Sequence, residues 1–138
     1  MINPPVLSLR RRAAELRASA ERELPHNEDS AALLIFYAAE CALKATYMLQ
    51  NNLRSPEEVR GSAQSARSFG HNLVALVSAL RIPRQVTGDI PQVMLSRTGT
   101  TGHVQHLHEA WRYGEKVENS QAIFQWLNSL IDWSRKTT

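Results

Sequence analysis

The chain has 138 residues, of which 43% are hydrophobic and 21% charged, a length suited to one domain with its own core. Sixteen basic and thirteen acidic residues give a net charge of +3, too small to indicate a nucleic-acid-binding protein on charge alone. A single cysteine excludes an intrachain disulfide framework and a cysteine-rich zinc module. The first residues lack the layout of a signal peptide, so we expect a cytoplasmic protein with one domain over residues 1–138.

The first predicted helix runs from Pro5 to Leu24. Its apolar residues step by three or four, the spacing of a helix face that packs on a core: Leu9, Ala13, Leu16, Ala20 and Leu24. Pro25 follows directly and ends the helix. The run Arg10-Arg11-Arg12 falls on the polar side, where two interpretations stay open. It is either a solvated face or, less favoured, an edge that binds phosphate.

A second helix is predicted over about Asp29 to Asn51. Residues 31–39 carry no charge, so this helix must be covered on most sides and is the candidate central helix of a bundle. Glu40 and Lys44 lie near its middle and would each cost about 2.5–3.5 kcal/mol in a bilayer. We therefore expect a buried helix and no membrane association. The acid precedes the lysine by four residues, the order that favours an ion pair along a helix.

Shorter elements are predicted in the middle of the chain. Ser-Pro-Glu-Glu at 55–58 combines an N-cap serine, a proline and an acid, a pattern typical of a helix start. A stripe of leucine and valine predicts a helix over 70–81, which Ile82 and Pro83 end. Glycine and proline interrupt the region that follows, where one helical piece is predicted at 92–96 and another near 104–111.

The last predicted helix spans Ser120 to Arg135. Its seven large apolar residues cover nearly half of the circumference, more than one core-facing stripe requires: Ile123, Phe124, Trp126, Leu127, Leu130, Ile131 and Trp133. This width predicts a homodimer or a stable complex with a partner protein. No alternating strand pattern is present, so the fold class is all-α, an antiparallel helical bundle of about four to five main helices.

The usual catalytic and metal-binding signatures are missing from the sequence. It contains no phosphate-binding glycine loop, no nucleophile elbow and no paired-histidine zinc motif. Cys41 lies inside the apolar helix, as an inert core thiol would. Three histidines at 103, 106 and 108 are close in sequence, but at most two of them share a helix face. A zinc site needs three or four ligands, so we expect no metal and no cofactor.

Three segments together resemble the HEPN domains of prokaryotes. They are Phe-Tyr-Ala-Ala-Glu-Cys-Ala-Leu-Lys-Ala at 36–45, Phe-Gly-His-Asn-Leu-Val-Ala-Leu at 69–76 and Trp-Arg-Tyr-Gly at 111–114. The resemblance spans roughly residues 28–135. It implies a helical bundle, often dimeric, that occurs in toxin–antitoxin, abortive-infection and CRISPR-linked systems. Many members are metal-independent ribonucleases that use an arginine and a histidine separated by four to six residues.

The resemblance points to candidate site residues. Arg97 and His103 are separated by five residues and would be the catalytic pair, with histidine moving a proton and arginine stabilising phosphate charge. Arg67 and His71 have only three residues between them and miss this spacing. Together with Arg112 they are the candidate residues for binding RNA or phosphate.

Two classes of function follow from the resemblance. The favoured one is a degenerate, non-catalytic HEPN-like module that dimerises or binds a partner protein or a nucleotide. The alternative is an endoribonuclease that uses Arg97 and His103 across a dimer. Both belong to an RNA-linked defence context, and the sequence leaves open whether the protein is an enzyme.

Overall fold

The computed structural model describes residues 4–91, 93–94, 101–102 and 120–136. Its helices are α1 (Pro4–Glu23), α2 (Glu28–Gln50), a 3-10 helix (Ala66–Phe69), α3 (Leu73–Leu80), α4 (Arg84–Thr87) and α5 (Ser120–Lys136). The architecture is an all-α helical bundle, which confirms the predicted fold class. The helix predicted near 104–111 lies outside the described residues.

Helix α1 packs along α2, and the connection between them is a turn of four residues. Such a short turn between two closely packed helices makes them antiparallel neighbours. Asn27 begins α2, because its Oδ1 accepts a hydrogen bond of 3.0 Å from the backbone N–H of Ser30. Leu24, predicted to face the core, is 40% exposed because α1 ends one residue earlier, at Glu23.

Helix α2 is the central helix of the bundle, and it packs on α1, on α3 and on α5. It is long and apolar enough to cross a membrane by length and composition. However, 67% of its most apolar stretch is buried inside the bundle, as expected for the core helix of a folded domain. Its largest fully buried side chains are Ile35, Phe36, Leu43 and Met48.

Helix α5 packs its apolar face on α2. Trp126 is only 4% exposed within the single chain, and Trp133 is partly buried against the core. The single chain therefore already covers most of the wide apolar face from which a dimer was predicted. The oligomeric state stays a prediction and needs support from another surface.

Two local predictions were wrong. The segment Ser55–Glu58 forms a hydrogen-bonded turn, with the N–H of Glu58 3.2 Å from the carbonyl of Ser55, and does not continue as a helix. The start signal at 55–58 is not followed by an apolar stripe. A helix there would bury little apolar surface, so nothing would offset the free-energy cost of helix nucleation. The helical piece at 92–96 is also absent at its described residues, because Val93–Met94 pairs antiparallel with Thr101–Gly102 as the two-residue strands β1 and β2.

The segment before α3 is tied to α2 by Tyr47. The Tyr47 hydroxyl donates a hydrogen bond of 2.7 Å to the carbonyl of Gln64, and its ring meets the Phe69 ring edge to face at 4.9 Å. Helix α3 begins at Leu73 instead of the predicted position 70, because Asn72 is its N-cap. These contacts fix the residues just before α3 against the last turn of α2.

Candidate functional site

Three side chains from two distant parts of the chain form a polar cluster at the surface of the bundle. We call Glu40, Lys44 and His71 the Glu40 cluster. Both carboxylate oxygens of Glu40 lie 3.1 Å from Nδ1 of His71. The ammonium of Lys44 donates to Oε1 of Glu40 at 2.9 Å. The cluster joins the middle of α2 to the residue before the N-cap of α3.

Glu40 is the buried member of this cluster. The residue is 7% exposed, whereas most glutamates in folded proteins lie in water. Removing a carboxylate from water is costly unless hydrogen bonds and opposite charge compensate for it. Lys44 and His71 supply that compensation from two sides. The predicted pairing of Glu40 with Lys44 along α2 is therefore present, and the structure adds a third partner.

His71 is the exposed member, with 48% of its side chain accessible to solvent. An ionised carboxylate only accepts hydrogen bonds, so a proton on Nδ1 is directed toward Glu40 and fixes the orientation of the ring. The ring also lies beside Tyr37, with the two centroids 5.9 Å apart. Gly70, immediately before it, has a φ of 55°, a left-handed conformation that favours glycine and redirects the chain into α3.

Cys41 follows Glu40 along α2 and has the properties of an unreactive thiol. It is a free, partly buried cysteine. Burial raises the pKa of the Cys41 thiol, and the negative charge of Glu40 raises it further, while Lys44 and Arg12 oppose the shift. Since the thiolate is the reactive form, a raised pKa makes this thiol a poor nucleophile. This is consistent with the inert role predicted from the sequence.

The predicted site residues have different surroundings. Arg67 is in the 3-10 helix with a side chain that is 76% exposed, and its Nη1 lies 3.6 Å from the carboxylate of Glu57. His71 instead turns toward α2, so the two residues engage different carboxylates. Arg97, His103 and Arg112 lie outside the described residues, and the catalytic pair stays a prediction. In the part of the chain that the structure describes, no group of three metal-ligating side chains occurs.

Comparison of the chain with protein-family models, with curated proteins and with solved structures finds no match. The fold and the site together define an all-α bundle protein in which a buried glutamate of the central helix anchors an exposed histidine. Sequence reasoning paired Glu40 with Lys44 and named His71 as a candidate site residue, but it did not connect His71 to the pair. The signal that connects them is their shared membership in the first two motifs of the resemblance, at 36–45 and 69–76.

Proposed function

We propose that this protein is a HEPN-like, non-catalytic module of a prokaryotic defence or toxin–antitoxin type system. In this proposal it acts in the cytoplasm and assembles with a second copy of itself through the surface around His71. The observation that carries the proposal is the pair of 3.1 Å contacts between a buried carboxylate and an exposed imidazole. The sequence resemblance supplies the biological context.

A buried glutamate that orients an exposed histidine suits a binding surface. The orientation of the His71 ring is set before a partner arrives, so less conformational entropy is lost on binding. Tyr37 lies against the same ring, and the exposed Arg67 is four residues earlier in the chain. Tyrosine and arginine are enriched where proteins meet, because both combine apolar area with hydrogen-bonding groups.

The same contacts argue for binding over RNA cleavage at this site. A ribonuclease of the resembled type needs an arginine that stabilises phosphate charge beside a histidine that moves a proton. Arg67 is the nearest arginine in sequence, and its side chain extends to Glu57. The group in contact with His71 is the carboxylate of Glu40, which does not bind phosphate, and the positive charge of Lys44 is engaged by the same carboxylate.

Light scattering on the purified protein tests the proposal. The wild type should have the mass of two chains at micromolar concentration, and His71→Ala should shift it toward one chain while circular dichroism stays unchanged. His26→Ala is the matched control, because His26 is an exposed histidine in the turn between α1 and α2. A wild type with the mass of one chain contradicts the proposal.

An RNA cleavage assay tests the alternative function. The proposal expects intact RNA after incubation with the wild type at neutral pH. Cleavage that survives EDTA and is lost in both Arg97→Ala and His103→Ala would instead establish the metal-independent endoribonuclease. Its pH profile would then report a group titrating in the histidine range.

A further inference from the structure

A cleft of about 590 Å³ lies between α1 and α5, with α2 beneath it. Ala42 and Thr46 of α2 line its floor, and Ala14 and Ala18 line the α1 side. Alanine side chains are too short to fill the space between the helices, so the described residues leave the cleft open. Its volume is within the range of about 300–1,000 Å³ that small-molecule sites occupy.

Three arginines line this cleft: Arg10 and Arg17 from α1 and Arg135 from α5. We call it the arginine cleft. One carboxylate, Glu21, also lines it, so the charged lining residues carry three positive charges and one negative charge. Arg17 is held in place from α5, because its Nη2 lies 2.8 Å from a carboxylate oxygen of Asp132. Even with Asp132 included, the cleft keeps an excess of positive charge.

Two guanidinium nitrogens at the arginine cleft lack an acceptor. Nη2 of Arg10 and Nη1 of Arg17 are buried from solvent and have no hydrogen-bond partner within the described residues. A buried charged donor without an acceptor costs free energy, and a shift of either arginine side chain toward the cleft would let a ligand oxygen recover it. Arg10 and Arg17 are seven residues apart, so the two donors lie two turns apart on one face of α1, and they indicate a ligand with several acceptor oxygens.

We propose that the arginine cleft binds a small phosphate monoester with a compact apolar body. A phosphate monoester carries about −1.5 to −2 charges at neutral pH and offers three acceptor oxygens, which suit the forked N–H donors of the three arginines. Thr46 and Ser134 also line the cleft, and Ile131 with the alanines provides apolar contact for the rest of the ligand.

This site is separate from the surface of the proposed function. Each residue of an α-helix turns by about 100°, so Ala42 and Thr46 lie about 200° around α2 from Glu40 and Lys44 respectively. The arginine cleft and the Glu40 cluster therefore occupy opposite faces of the central helix. Binding of the phosphate ligand can therefore be tested independently of assembly through His71.

Calorimetric titration with phenyl phosphate, benzoate and inorganic phosphate tests the proposal. Phenyl phosphate should bind at least tenfold more tightly than benzoate, which has the ring with one charge, or than phosphate, which lacks the ring. Arg10→Gln and Ala14→Leu should each weaken phenyl phosphate binding at least tenfold. Arg11→Gln and Ala122→Leu are the matched controls, because both residues are exposed and neither lines the cleft. The controls and His71→Ala should bind as the wild type does.

Several outcomes would overturn the proposal. They are no binding of phenyl phosphate at millimolar concentration, equal affinity for benzoate, or wild-type affinity in Arg10→Gln and Ala14→Leu. A thermal melt of each variant without ligand separates lost binding from lost folding. A short RNA with a 5′-phosphate is titrated in parallel. If it binds more tightly than phenyl phosphate and its 5′-hydroxyl form does not bind, the small-molecule assignment is wrong.

Discussion

The carboxylate of Glu40 holds Nδ1 of His71 at 3.1 Å across 31 positions of sequence. Glu40 is buried in the middle of the central helix, whereas nearly half of the His71 side chain faces solvent. A group inside the core thus determines how an exposed side chain is oriented. Lys44 contacts the same carboxylate and offsets its charge, so the histidine is oriented without an unpaired acid in the core.

The Glu40 cluster should contribute to stability. Glu40→Gln removes the charge that Lys44 needs, and Lys44 is only 16% exposed, so we expect the free energy of unfolding to fall by about 1–3 kcal/mol. Urea denaturation measures this change. Glu15→Gln is the control, because its ion pair with Arg12 is exposed and should change stability by less than about 0.5 kcal/mol. Equal stability of the two variants would contradict a structural role for the buried acid.

The core position of Leu43 predicts a large effect of truncation. Leu43 is fully buried, so Leu43→Ala should cost about 2–5 kcal/mol through lost burial and the cavity left behind. Leu34 is on the same helix but only partly buried, and Leu34→Ala should cost clearly less. Chemical denaturation of the pair gives the comparison. A larger loss at Leu34 would mean that α2 is rotated about its axis relative to the described packing.

The reactivity of the Cys41 thiol depends on the charges of the Glu40 cluster. Burial and Glu40 raise its pKa above the usual 9.0, so reaction with Ellman's reagent should be slow at pH 8 and accelerate only above pH 9. Lys44→Met removes a charge that lowers this pKa, and the reaction should slow further. Glu40→Gln should have the opposite effect. The reaction rates are measured under conditions in which every variant is folded. Equal rates in the wild type and in both variants would exclude this electrostatic coupling.

The raised pKa of Cys41 also predicts how the stability of the protein depends on pH. Because the pKa of Cys41 is raised, the folded chain favours the neutral thiol. The contribution of this thiol to stability is complete below about pH 9 and is lost as pH rises through the folded-state pKa. Cys41→Ala removes the titrating group. We expect this variant to lose less stability than the wild type between pH 8 and pH 10.5, and a parallel loss in both would refute the assignment.

The start of α3 depends on one side chain. Oδ1 of Asn72 accepts a hydrogen bond of 3.1 Å from the backbone N–H of Ala75. Asn72→Ala should therefore cost about 1 kcal/mol, while Asn72→Ser should keep the cap and most of the stability. Thermal melts of the two variants provide the comparison. Identical melting temperatures for Asn72→Ala and the wild type would show that the cap does not hold α3.

The long helices could be predicted because each carries a sustained apolar period. α2 was predicted over about 29–51 and spans Glu28–Gln50, and α5 was predicted over 120–135 and spans Ser120–Lys136. Short elements could not be predicted as well. A start signal such as that at 55–58 is local, whereas the formation of a helix depends on what its turns can bury.

The sites depend on contacts between elements that are distant in sequence. The position of His71 against Glu40 requires the 3-10 helix, the left-handed turn at Gly70 and the Tyr47 anchor, and none of these leaves a periodic signal. The favoured prediction for the run Arg10-Arg11-Arg12 is a solvated face. This prediction is correct for Arg11 and Arg12, which are both exposed. Arg10 lines a cleft because α5 packs nearby, and that packing is not encoded in the run itself.

Sedimentation equilibrium of four proteins tests the central claim, that Glu40 acts in assembly by orienting His71. The proteins are the wild type, Glu40→Gln, His71→Ala and the double variant, each checked for folding by circular dichroism. The account predicts a micromolar or tighter dimer for the wild type, at least tenfold weaker dimers for both single variants, and a double variant no weaker than His71→Ala. A monomeric wild type, or losses that add fully in the double variant, would contradict it.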